Sequence, residues 1–63
     1  MRYKLDPNDW QASATKLVTE VRPGDTIVAE SQNQRIVIWQ MLQVAGKRGV
    51  AVDVERYKEE QQT

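Results

Sequence analysis

The chain has 63 residues, with nine basic and nine acidic side chains, no histidine and no cysteine. One domain at most fits this length. The missing residue types exclude disulfides, thiolate or imidazole metal sites, cysteine nucleophiles and histidine general bases.

A chain this short buries only about 60% of the surface that its unfolded form exposes. With disulfides and most metal sites gone, self-association or partner binding is the stabilising device to expect. The neutral balance argues against a dedicated nucleic-acid binder, which carries a basic excess. Met1-Arg2-Tyr3-Lys4 is not followed by the apolar run of a signal peptide, and no stretch is long enough to span a membrane. The absence of cysteine fits a reducing compartment. The expectation is a cytoplasmic protein with no membrane contact.

Arg2 to Leu5 alternates polar and apolar residues, which suits a short strand with Tyr3 and Leu5 on one face. Asp6-Pro7-Asn8-Asp9-Trp10 reads as a helix start, with Asp6 as cap, Pro7 at the first helical position and Asp9 in the first turn. Leu5 and Trp10 fit a hydrophobic staple. Trp10, Ala14, Leu17, Val18 and Val21 continue as one helical stripe, which Pro23-Gly24 ends. Asp25 to Glu30 reads as a strand, and its continuous Ile27-Val28-Ala29 core implies burial on both faces.

Ser31 to Gln34 matches a capping box, with Ser31 as cap and Gln34 reaching back. Val37, Ile38, Met41, Leu42, Val44 and Ala45 then share one broad helical arc. The rival is a hairpin, because Ile36, Val37 and Ile38 are β-branched. Helix is preferred for residues 31–45: the arc persists to Ala45, and the turn lacks the glycine that tight hairpins favour. Gly46 and Gly49 offer a helix stop and a turn. Val50 to Val54 reads as a strand with Val50, Val52 and Val54 on one face, and the polar end, from about residue 58, is expected to fray, with Tyr57 as a candidate to pack back.

The expected fold class is α/β. It is one small βαβ-type domain over residues 1–63, or βαβαβ with a three-stranded, mostly parallel sheet and two helices if Arg2 to Leu5 is also a strand. If both helices share one face of that sheet, the other face calls for a second subunit.

Three kinds of site suggest themselves. Trp39 and Ile36 flank the apolar arc and exceed what one small sheet can cover, so they are the expected partner-binding anchors, with Arg35 as an orienting polar rim. The bland alternative folds Trp39 over the edge of the core. Arg22, Lys47 and Arg48, joined by Arg2, form a basic rim able to touch phosphates, with Asp25 as a partial counterweight. Their plainer role is to meet helix C-termini, where positive charge is favoured. Tyr3 and Tyr57 could stack bases, but nothing places them beside that rim. Asp6, Glu30, Asp53 and Glu55 fall at the carboxyl ends of the strands, where oxygen ligands could hold Mg²⁺, but each has an ordinary role at a helix start or in solvent. Glu30 and the lack of a glycine-rich turn argue against a phosphate at the second helix.

No catalytic residue, cofactor or metal site is expected. The reading is a non-catalytic protein-interaction or regulatory module that self-associates as a homodimer or binds another protein. A small nucleic-acid binder using Arg22, Lys47 and Arg48 is the alternative.

Overall fold

The computed structural model describes residues 1–55, so Tyr57 and the polar end lie outside the described residues. The elements run β1 (Arg2–Lys4), α1 (Trp10–Glu20), β2 (Thr26–Ala29), α2 (Gln32–Val44) and β3 (Ala51–Val54). The sheet has the order β1-β2-β3, and both pairings are parallel. This is the βαβαβ arrangement. Gln32–Val44 is helical rather than part of a hairpin, with Ser31 and Ala45 as its caps.

Right-handed crossovers from β1 to β2 and on to β3 advance in one direction, which puts both helices on the same face. Accordingly α1 packs on α2, and one core lies between them and the sheet. Register places Tyr3, Ile27 and Val52 side by side on the helix face. Ala14, Val18 and Val21 come from α1 and its C-cap, and Ile38 and Leu42, about one turn apart, from α2.

The opposite face carries Arg2, Lys4, Thr26, Val28, Ala51 and Asp53, by the same register. Val28 is buried yet stands apart from the main core cluster. Arg2 spans this face: Nη1 donates to Asp53 at 2.8 Å and Nη2 to Glu55 at 3.2 Å. Two strand spacings of about 4.8 Å separate β1 from β3, so the arginine stem must cross β2 near Thr26 and Val28. The face is narrow enough to be spanned by the chain's own long polar side chains. A subunit is therefore not the only possible cover. The ion pairs are half-exposed and screened by solvent, so they add little to stability.

The start of α1 differs from the sequence-based expectation. Its cap is Asp9, whose Oδ1 accepts from Ala12 N–H, and Pro7 lies outside the helix. Asp6 Oδ1 instead accepts from Asn8 N–H, and Asp6 C=O accepts from Asp9 N–H, closing a turn ahead of the helix. Asp6 and Asp9 both suit a cap. The turn's local bonds claim the first and leave the second for the helix. β3 also begins one residue later than expected, at Ala51.

Candidate functional site

Sequence-local chemistry holds α2 firmly at both ends. Ser31 Oγ accepts from Gln34 N–H at 3.2 Å, and Gln34 Oε1 accepts from Glu30 N–H at 2.9 Å. The reciprocal bond of a capping box thus lands one residue before the cap. At the other end Gly46, with φ +71°, donates to Gln43 C=O, and Lys47 N–H donates to Leu42 C=O. These two bonds make a Schellman stop.

Between these stops, α2 is only partly absorbed by the core. Ile38 and Leu42 are buried, whereas Val37 is 40%, Ile36 45%, Trp39 51% and Val44 90% exposed. The expected broad arc is therefore narrower than its apolar residues. A three-stranded sheet and one short neighbouring helix leave Val37 and Val44 outside.

Trp39 forms a ridge between two open hollows. One, of about 320 Å³, is lined by Arg35, Ile36, Trp39 and Gln40. The other, of about 460 Å³, lies between α2 and the segment leading into β3, and is walled by Trp39, Leu42, Gln43 and the stretch Gly46 to Val50. Arg35, Ile36 and Trp39 are thus gathered on one surface. Arg35 Nε donates to Gln32 Oε1, which directs the guanidinium along the helix.

The basic residues are divided by their bonds. Lys47 Nζ donates to Thr19 C=O at 3.1 Å and Val21 C=O at 2.9 Å. These are carbonyls at the end of α1, which a helix leaves without intrahelical partners. Lys47 ties the two helix ends together and has little left for a ligand. Arg2 is engaged with Asp53 and Glu55 on the far face of the sheet. Arg22 and Arg48 are exposed and have no side-chain hydrogen bond or ion pair among the described residues.

Loop contacts bring the turn that carries Arg22 against Gly49, one wall of this second hollow. Gly24 N–H donates to Gly49 C=O at 2.7 Å. A Cβ on Gly49, at φ +77°, would meet Pro23 Cβ at 3.1 Å. Asp25 organises the same corner by accepting from Arg22 N–H and from the Met1 ammonium. The Arg22 amide bond and then the ammonium hold the Asp25 carboxyl below its ordinary value. A depressed carboxylate adds stability above its unfolded value and loses it as pH falls through the folded value. Asp25→Asn is therefore expected to flatten the acid side of a melting-temperature profile recorded from roughly pH 6 to pH 2. An unchanged acid slope would show that Asp25 does not organise this corner.

Of the expected carboxylate rim, Asp6 serves the turn before α1, and Asp53 and Glu55 pair with Arg2. No group of three Asp or Glu side chains among the described residues is arranged to hold a metal ion.

Reading residue by residue missed Gln40, Gln43 and the loop around Gly49 as parts of this surface. A signal was present. From Ser31 to Val52 there is no acidic residue, although the chain holds nine, and this stretch contains three cations, Arg35, Lys47 and Arg48. Comparison of the chain with protein-family models, curated proteins and solved structures returns no match.

Proposed function

We propose that the protein is a non-catalytic interaction module, and that it docks a partner protein on the outer flank of α2. The observation that carries this reading is Trp39. It is a large aromatic side chain, half-exposed, standing between two hollows on a helix fixed at both ends. Aromatic residues set against hollows are favoured binding anchors, since they bury much surface at little rotamer cost. Ile36 extends the apolar contact and Arg35 supplies a directional polar edge.

A second copy of the chain is the first partner to test, because a domain this small gains stability from association. Light scattering over a concentration series measures that directly. Affinity capture with wild-type and Trp39→Ala baits measures other partners. The expected result is a protein, or the chain itself, held by the wild type and lost from the variant, with both baits folded by circular dichroism. Equal capture by the two baits refutes the proposal.

The nucleic-acid reading draws on Arg48 in the second hollow, with Trp39 as a stacking surface and Arg22 on the turn that packs against Gly49. It is the weaker reading because Lys47 and Arg2 already have partners within the chain.

A further inference from the structure

We propose that the partner segment docking on α2 is acidic as well as apolar, with carboxylates flanking a hydrophobic anchor; this rests on the docking reading above. The apolar part follows from Ile36 and Trp39. The acidic part follows from what surrounds them.

Both hollows beside Trp39 contain cations, Arg35 in one and Lys47 and Arg48 in the other, and no described carboxylate lines either. The whole chain has zero formal charge, so this is a local asymmetry. It follows from the absence of Asp and Glu between Glu30 and Asp53. On the sheet face away from the helices, by contrast, Arg2 is neutralised by Asp53 and Glu55. Among the described residues, the cations around Trp39 have no such carboxylate neighbours in the hollows.

Charge complementarity across an interface favours the partner that supplies the missing sign. A second copy docked by the same patch would not do so. In a two-fold interface the same patch lies on both sides, so a cationic rim lined by no described carboxylate would meet another cationic rim. A nucleic-acid backbone supplies negative charge, but it rewards a row of free cations. Here Lys47 is held by Thr19 and Val21 carbonyls, and the ridge itself is apolar. A short peptide with a few carboxylates around a bulky apolar side chain matches both parts of the surface.

The test is selection from a random-peptide display library on three immobilised baits: wild type, Trp39→Ala, and the double variant Arg35→Glu/Arg48→Glu. Wild type is expected to enrich peptides that place Asp or Glu beside Leu, Ile or an aromatic residue. Those peptides should bind Trp39→Ala at least about 30-fold more weakly, the scale of an interface hot spot. They should lose roughly threefold to fivefold per reversed arginine, the scale of an exposed ion pair. The double variant should enrich basic peptides instead.

Peptides that require Trp39 but show no acidic bias overturn the charge assignment and leave the docking reading standing. Selected peptides that bind wild type and Trp39→Ala equally overturn both. Labelled oligothymidylate, titrated in parallel, checks the polyanion alternative. Tight binding that is lost in Arg35→Glu/Arg48→Glu and falls steeply with salt would overturn the peptide assignment. So would a wild-type dimer that Trp39→Ala dissociates.

Discussion

Ile38→Ala is expected to unfold the protein, whereas Trp39→Ala, one residue further along the same helix, is expected to leave it folded. Ile38 is fully buried, at 0% exposure, while Trp39 is 51% exposed. Removing a buried isoleucine costs about 2–5 kcal/mol, since the lost transfer energy is joined by the cavity left behind. Native domains hold roughly 0.05–0.15 kcal/mol per residue, so a chain this short has a total of only about 3–9 kcal/mol. Loss of Ile38 therefore removes much or all of its stability. Only part of the Trp39 surface leaves water on folding, and truncation opens onto solvent rather than making a closed void. A cost of about 1–2 kcal/mol follows. Urea unfolding of the two variants, with Ile38→Val as a milder control at about 1 kcal/mol, reads the contrast. If Trp39→Ala is the variant that unfolds, Trp39 is core and the docking surface is lost with it.

Lys47→Met should destabilise the protein by about 1.5–3 kcal/mol, the range for hydrogen bonds made by a charged group. Methionine keeps most of the aliphatic stem and removes the ammonium. It leaves the Thr19 and Val21 carbonyls without the donor that joins them to the end of α2. Arg48→Met, on the adjacent residue, should change stability by less than about 0.5 kcal/mol, as exposed substitutions away from special features do. Together the pair separates a cation used by the fold from one free for a partner. Equal stability losses, or none for Lys47→Met, would contradict that division.

Much of the fold was legible along the chain because its cues are local. Ser31 with Gln34 marks the start of α2, Gly46 stops it, and Pro23-Gly24 closes off α1. The continuous Ile27-Val28-Ala29 run correctly marks the central strand, which is covered on both sides. Where two local solutions had similar merit, the choice was less visible. Asp6 and Asp9 could each cap α1, and a turn through Pro7 and Asn8 decided for Asp9.

The chain order of hydrophobic periods determined a small βαβ-type α/β protein with a surplus of apolar surface on its second helix, and the fold settled Arg2–Lys4 as a third strand. The residue inventory determined that its ionic chemistry is carried by carboxylates, lysines and arginines. Tertiary structure decided which surplus residues stay outside and which charges stay free. A sheet of three short strands has room beneath α2 for Ile38 and Leu42, so Ile36, Val37, Trp39 and Val44 are left in contact with solvent to different degrees. Charges far apart in sequence were sorted by proximity: Arg2 crosses the sheet to Asp53 and Glu55, and Lys47 reaches back to the end of α1. No spacing rule along the chain could specify these pairs, because each depends on strand order and on how the helices pack. What the sorting leaves around Trp39 is an apolar ridge with arginines and, among the described residues, no carboxylate in its hollows.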